Sequence, residues 1–491
     1  MPISSRRPFL RALAAITITA LATTACTTTS NLPQANPALN QLVAQRILAD
    51  PTLDDVLNRA RQLLRNGFNA GSGYPEVWIR DFATFMDVSC EVNDPAAIRS
   101  ALLTLARFQR EDGNIPDGIG RREPVIDKTA VKPTTPPVLT TQITLGREII
   151  DNSAVPDFRG FKNSVETDQE TSLVQAIHSY IRSTHDTSIL GEIVDGQTLL
   201  CRLERALDFL LQRRFSEKYG LIYGATTIDW GDIAPEDAIG AVFNEKTHRA
   251  IDVYDNAMFL IAIDNFLSFV DHDAVKIQKW RPVEQLIRAN VRKHLWDATR
   301  QKFIPHLYLD KSPFPADFDE NAIWYHGGTA VAIQAGLLTR DEIASSLQMI
   351  RLNVRQAHGL TLGVTNYPLY PKGLFQNPNV DPGVYQNGGD WDWFGARLVQ
   401  ALVANGFGPD AYIELLPIVQ RVQRHDGFFE WFDMQDHPQG SSTFRGSAGV
   451  IAKAILDLQG WAKSQLDRTA AAGTVVVAGF PPSSMGGCSD G

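Results

Sequence analysis

The sequence predicts an all-α protein, an (α/α)6 toroid with long loops on one face. Three observations predict it. First, apolar residues recur at spacings of three and four from about residue 39 to 465, and strand-like alternation is scarce. Second, helical patterns begin near 39, 80, 95, 168, 199, 253, 274, 319, 340, 393, 410 and 446, with no Pro- or Ser-rich linker between them. That continuity argues for one domain. Third, the starts alternate in character. Those near 80, 168, 253, 319, 393 and 446 follow segments rich in aromatics, glycine and charge, such as WIRDF, VETDQE and YQNGGDWDW. Those near 95, 199, 274, 340 and 410 follow short polar turns such as NDPAA and DHDA. Inner helices whose N-termini carry long loops, returned by outer helices through short turns, give that alternation. No signature of about 30–40 residues repeats, which disfavours a solenoid.

In chain order, residues 1–26 read as a twin-arginine-type export signal. Ser5-Arg6-Arg7-Pro8-Phe9-Leu10-Arg11 precedes a mildly apolar run from Ala12 to Ala22. The run is too short and too Thr-rich to span a membrane. It ends in Thr24-Ala25-Cys26, similar to a lipoprotein cleavage box, although Thr23 stands where that box usually has Leu. A lipid anchor on Cys26 and simple cleavage with secretion both stay open. Either places the protein in the periplasm, the cell envelope or the medium, touching a membrane only through that anchor. Residues 27–38 form a tether, 39–466 the catalytic domain, and 467–491 a small-residue tail.

The net charge of -9 disfavours a nucleic-acid partner. Four cysteines, Cys26, Cys90, Cys201 and Cys488, show no metal spacing. Cys90 and Cys201 are expected to be small buried hydrophobes, with a Cys90–Cys201 bridge as the lesser alternative.

Four constellations carry chemistry. Tyr74-Pro75-Glu76-Val77-Trp78-Ile79-Arg80-Asp81-Phe82 sets an Arg and an Asp side by side among aromatics as a helix begins. Asp81 is either a cap favoured by the helix dipole or, with Arg80, a grip on sugar hydroxyls. The turn Asp112–Gly118 follows, with Asp117 expected on a surface loop. Next, Thr167-Asp168-Gln169-Glu170 is a routine helix start that would also serve hydrogen bonding to a sugar. In the loop Tyr219–Asp232, Asp229 and Asp232 flank Trp230. A carboxyl group buried beside an indole has a raised pKa, as a general acid requires. Finally, Glu430 lies among aromatics in Asp426–Asp433, where a general base is a natural task for a buried Glu.

Between the last two lies Tyr385–Gly395, with Gln386, Asn387, Asp390, Trp391, Asp392 and Trp393. Amide, carboxylate and indole groups at a helix start read as the wall of a carbohydrate pocket. His326, in Trp324–Gly328, is the histidine expected to join it. Two separated carboxylates with aromatic platforms match the needs of glycoside hydrolysis. No G-x-S-x-G elbow, phosphate loop or His pair at metal spacing competes.

In this order, Trp78–Phe82, Thr227–Asp229, Tyr385–Trp391 and Phe429–Asp433 resemble the neutral/alkaline invertases, as does the later run Phe444–Lys453. More distantly they resemble trehalases, processing α-glucosidases and other six-hairpin glycosidases, over roughly Gly73 to Leu458. The resemblance implies hydrolysis of an α-linked sugar by inversion, with the catalytic carboxyl groups about 6.5–9.5 Å apart. It matches Asp229 to the general acid and Glu430 to the general base. Arg80, Asp81, Asp168 and the Asn387–Trp391 loop match substrate positions. Trp78, Trp230, His326, Gln386 and Trp393 complete the expected sugar subsite. Trp230-Gly231-Asp232 replaces the basic residues usual after the acid, which makes Asp232 its rival and puts sucrose specificity in doubt. The expected partner is a small carbohydrate or oligosaccharide, with no metal and no cofactor. Two other classes stay open: a non-catalytic carbohydrate-binding lipoprotein, and a sugar epimerase or lyase on the same toroid using His326 and Tyr325.

Overall fold

The computed structural model describes residues 37–122, 138–144, 147–165, 167–238 and 242–475. The expected signal, nearly all of the tether and the end of the tail lie outside the described residues.

Thirteen helices form among the described residues: α1 (Pro37–Leu48), α2 (Pro51–Leu64), α3 (Ile79–Val92), α4 (Pro95–Ala106), α5 (Asp168–Thr184), α6 (Leu199–Arg213), α7 (Val253–Phe269), α8 (Ala274–His294), α9 (His326–Gln334), α10 (Arg340–Gln356), α11 (Asp392–Ala404), α12 (Gly408–His425) and α13 (Arg445–Val475). Helix α3 packs on α5, α5 on α7, α7 on α9, α9 on α11, α11 on α13, and α13 back on α3. This closed ring is the inner wall of the toroid. The outer wall is α2, α4, α6, α8, α10 and α12, each against inner helices, and α1 is an addition packed on α13 and α12. The (α/α)6 expectation is borne out.

The two walls differ in how their helices bury. Outer α6 presents one stripe, Leu199, Leu203, Ala206, Leu207 and Leu210, to the core. Inner α7 is buried on nearly every side, from Val253 through Ile263. Helices that are apolar all round belong inside a layered fold. Starts are fixed by local chemistry. Asp50 and Asp94 cap α2 and α4 ahead of a Pro, and Thr339 with Glu342 forms a capping box on α10.

The sequence pattern differs from the structure at four places. The chain turns at Ala49-Asp50, so the single pattern from 39 divides into α1 and α2. Helix α9 begins at His326 rather than near 319, because the aromatic segment before it forms a short strand, Trp324–Tyr325. Helix α13 continues to Val475, past the boundary expected at 466. An antiparallel sheet of order β1-β2-β5-β4-β3 joins β1 (Val77–Trp78), just ahead of α3, to four strands between α4 and α5, β2 (Gly118–Arg121), β3 (Leu139–Thr144), β4 (Arg147–Asn152) and β5 (Phe158–Lys162). Burial along β4 and β5 does not alternate from residue to residue, so no period-two pattern marks them in the sequence.

Cys90 is half-buried, Cys201 is exposed, and both thiols are free. The bridge is not formed. Cys201 sits on the outward face of α6, where a buried hydrophobe was expected.

Candidate active site

The helix starts of the inner wall meet the sheet around a cavity of ≈330 Å³. The loops before α3, α11 and α13 supply most of its wall, and β4, β5 and the loop 226–238 close the rest.

Glu430 lies at this wall, 4% exposed. Tyr74 Oη donates to both carboxylate oxygens at 3.0 Å, and the Ser441 N–H donates to Oε2 at 2.9 Å. The Glu430 N–H returns to the Ser441 carbonyl at 3.0 Å. Gly440 makes this possible. Its φ is +67°, and a Cβ there would stand 2.3 Å from Oε2. Burial raises the pKa of Glu430, against the lowering by the Ser441 N–H and Tyr74, and the nearby Asp232 charge raises it further.

Asp232 lines the same cavity and is half-buried. Gln386 Nε2 donates to its Oδ1 at 3.1 Å. Beside them, Asp81 is 4% exposed with Oδ1 lacking a hydrogen bond. Burial pushes its carboxyl up to about 7, Arg80 opposes that, and Glu430 and Asp117 add to it. Arg80 Nη1 stands 3.8 Å from Asp117 and 3.6 Å from Asp168. Lys162, fully buried at the wall, donates to Gln169 at 2.7 Å and to Glu170 at 3.1 Å.

The apolar part is a knot of indoles. Trp230 meets Trp391 edge-on at 4.6 Å and Trp393 at 5.5 Å, and it stacks on Phe394 at 4.6 Å. Trp78, Trp230, Trp391 and Trp393 all reach the cavity, and Trp230 Nε1 is buried without a partner. Such rings offer flat faces and few free donors, as sugar platforms do.

Of the residues the sequence singled out, Trp78, Arg80, Asp81, Trp230, Asp232, Gln386, Trp391, Trp393 and Glu430 are brought together at the cavity. Five are not. Asp229 takes the N–H of Gly327 on Oδ2 at 2.7 Å and the N–H of Gly328 on Oδ1 at 2.8 Å, capping α9 from behind the wall. The two glycines permit the approach, since a Cβ on Gly328 would stand 2.8 Å from Asp229 Oδ1. Burial pushes the Asp229 carboxyl up to about 8 in spite of those donors. Asp168 sits behind Arg80 and accepts from Tyr254 Oη at 2.7 Å. His326 bonds the Val364 carbonyl through Nδ1 at 2.6 Å and faces Asn353 through Nε2 at 3.1 Å. Burial drives its pKa down to about 4, so it is neutral near pH 7. Asn387 is consumed by Tyr370 and Val380 backbone groups. Asp390 pairs with Arg421 at 2.7 Å and accepts the Thr361 N–H at 3.0 Å.

Asp117 reverses its expectation. It is buried at the cavity, because its carbonyl takes the Ile79 N–H and its N–H reaches Phe161. Burial pushes its carboxyl up to about 6 against the pull of Arg80. Tyr74, Arg147, Lys162, Asn163 and Tyr385 also line the cavity and had no assigned role. Tyr74 and Tyr385 lie inside motifs the sequence singles out, but Arg147, Lys162 and Asn163 arrive with the sheet, which leaves no signal in the sequence. Among the described residues, no group of three or more His, Cys, Asp or Glu is placed to hold a metal ion.

The model of the glycosyl hydrolase 94 superfamily, catalytic domain, matches residues 30–420. No curated protein matches the chain. Among solved structures, the chain is similar to a GH63 mannosylglycerate hydrolase from Thermus thermophilus in complex with glucose, at 16% identity and TM-score 0.54, covering 82% of this chain and 99% of that one. It is similar to a rhamnosidase from Klebsiella oxytoca with rhamnose bound, at 14% identity and TM-score 0.52, covering 84% and 64%. A GH78 rhamnosidase of Bacillus sp. GL1 matches at 12% identity and TM-score 0.53, covering 82% of this chain and 34% of that one. The chain thus spans about two thirds or less of the rhamnosidases and nearly all of the mannosylglycerate hydrolase. These matches bear out the six-hairpin glycosidase resemblance, without bearing on invertases or trehalases in particular.

Proposed function

The chain belongs to the glycosyl hydrolase 94 superfamily and is a glycoside hydrolase, and from that premise we propose an exported enzyme that cleaves an α-linked sugar with inversion, Asp232 serving as general acid and Glu430 as general base. The observation that carries this reading is one cavity faced by both carboxyl groups.

Glu430 is suited to take a proton from water. Tyr74 and the Ser441 N–H fix its plane, and burial keeps it more basic than a solvated carboxylate. Its remaining lone pairs are free for the attacking water. Asp232 meets the leaving oxygen. Gln386 occupies its Oδ1 and leaves Oδ2 to deliver the proton. Inversion needs room for water between the two groups, hence the expected separation of about 6.5–9.5 Å. Arg80 and Asp81 bind hydroxyls, and Trp391 and Trp393 carry the sugar faces. A cavity of ≈330 Å³ suits a short sugar, and the mannosylglycerate hydrolase with glucose and the rhamnosidase with rhamnose support a monosaccharide-sized subsite. Export rests on the Arg6-Arg7 signal.

The test is anomer-resolved proton NMR of products from α-linked di- and oligosaccharides. The β-anomer should accumulate first. Early α-anomer would overturn inversion, and release of no sugar from any substrate would overturn the proposed α-linked substrate class.

A further inference from the structure

Glu430 lies where two segments far apart in the chain are clasped together. Residues 69–74 precede β1, and residues 440–445 run into α13. The Ser72 N–H donates to Thr443 Oγ1 at 2.9 Å, and the Ser442 N–H donates to Ser72 Oγ at 3.0 Å. The Arg445 N–H reaches the Ala70 carbonyl at 2.7 Å, and Arg445 Nη1 donates to Asn69 Oδ1 at 2.6 Å. Asn69 Nδ2 in turn donates to the Tyr74 carbonyl at 2.5 Å. Gly71 lets the segments meet, since its φ is +151° and a Cβ there would collide with the Thr443 carbonyl oxygen.

The clasp sets the Tyr74 hydroxyl 3.0 Å from both oxygens of Glu430. Oε2 also takes the Ser441 N–H, so it holds two donors where Oε1 holds one. A carboxylate oxygen has two lone pairs, so among the described residues Oε1 is the oxygen with one left over. Burial and the Glu430 charge both push the Tyr74 phenol upward, which keeps it protonated and donating. Burial raises the carboxyl of Glu430, and the Ser441 N–H and Tyr74 act against it by favouring the ionised form. The other groups facing Glu430 are Asp232, which raises it further, Arg80, which lowers it, and Asp81 and Tyr385. All four are untouched by a change at Tyr74.

We propose that Tyr74 is the positioning residue for the base, setting the carboxylate so that Oε1 receives the proton of the attacking water and extending hydrolysis to lower pH. This rests on Glu430 being the base. In the step, the water oxygen bonds the anomeric carbon as the glycosidic bond breaks. The water proton passes to Oε1, and the leaving oxygen takes the proton of Asp232. A base works only when ionised, so a donor that favours its ionised form moves the acid limb of the rate profile down.

The pH dependence of kcat/KM in Tyr74→Phe, a variant that keeps the ring and loses one oxygen, tests it. The acid limb should move up by about one pH unit, the worth of one hydrogen bond to a charged group. The alkaline limb, set by the acid, should stay in place, and above the shifted limb the rate should recover toward wild type. An acid limb at the wild-type pH overturns the proposal, whether the rate is unchanged or lower, because a merely structural hydroxyl would lower it at every pH alike. Glu430→Gln separates this from the assignment of the base. If Glu430→Gln is inactive while the limb of Tyr74→Phe stays, only the role of Tyr74 is overturned. If Glu430→Gln hydrolyses at the wild-type rate, Glu430 is not the base and the role of Tyr74 falls with it.

Discussion

Asp232 and Asp229 are three residues apart on one loop, and they stand in different surroundings. Asp232 faces an open cavity, half-buried, its carboxylate taking a hydrogen bond from the Gln386 amide. Asp229 is sealed behind it, its two oxygens spent on the first N–H groups of α9. The same division runs through the whole site. Glu430, Asp81 and Asp117 face the cavity, whereas Asp390, Asn387, His326 and Asp168 form a frame behind it. The frame holds the aromatic knot in place, and the lining is left to do chemistry. Residue type does not distinguish the two layers.

The comparison breaks most sharply through activity. Asp232→Asn and Glu430→Gln should each lower kcat by about 10²–10⁴, the usual worth of a positioned proton donor or acceptor, with melting midpoints close to wild type. Glutamine keeps an oxygen for the Ser441 N–H, so the loop should hold. Steady-state rates beside calorimetry check this. Asp229→Asn should do the reverse. It leaves one of two buried N–H groups without an acceptor, at a cost of about 1–3 kcal/mol, while kcat falls far less than in Asp232→Asn. A wild-type rate in Asp232→Asn, with loss of rate in Asp229→Asn, would hand the acid role back to Asp229.

The frame is probed next through Arg421, fully buried between Asp390 at 2.7 Å, Asp392 at 2.8 Å and Asp436 at 2.8 Å. Arg421→Met strands buried carboxylates and should cost about 3–5 kcal/mol in urea denaturation, with activity per folded molecule largely kept. A small stability loss with a large loss of rate would place Arg421 in the chemistry instead.

How far the sequence reached follows from the same layering. The toroid was legible because helix periodicity and the alternation of loop lengths are local properties, and the closed ring of α3 to α13 follows from them. Glu430 was legible because a Glu among aromatics must have a partner. The choice between Asp229 and Asp232 was not, since it depends on where α9 begins. With α9 starting at His326, Gly327 and Gly328 point their N–H groups at Asp229. Lys162 and Arg147 were invisible for another reason. They reach the cavity on β5 and β4, which pair through contacts such as Glu148 with Lys162, and because burial along these strands does not alternate, no period-two mark shows in the sequence.

The smallest effect concerns whether a raised pKa marks the cavity side. Burial pushes Asp81, in the lining, up to about 7 and Asp229, in the frame, up to about 8, so the shift alone marks neither layer. Its consequence for Asp81 has a definite sign. Unfolded, the carboxyl releases its proton near 3.8, whereas folded it keeps it to about 7. Between those values the folded chain binds more protons than the unfolded chain, so stability falls as pH rises through that window. Asp81→Asn cannot titrate and should lose that part of the slope. Urea midpoints at pH 4.5 and 7 should show the variant gaining on the wild type by about 1–2 kcal/mol, less than a sealed carboxyl would give because the cavity admits water. Parallel pH curves would mean that Asp81 is ionised throughout. The lining would then hold its charge against the cavity, as the frame holds Asp390 against Arg421.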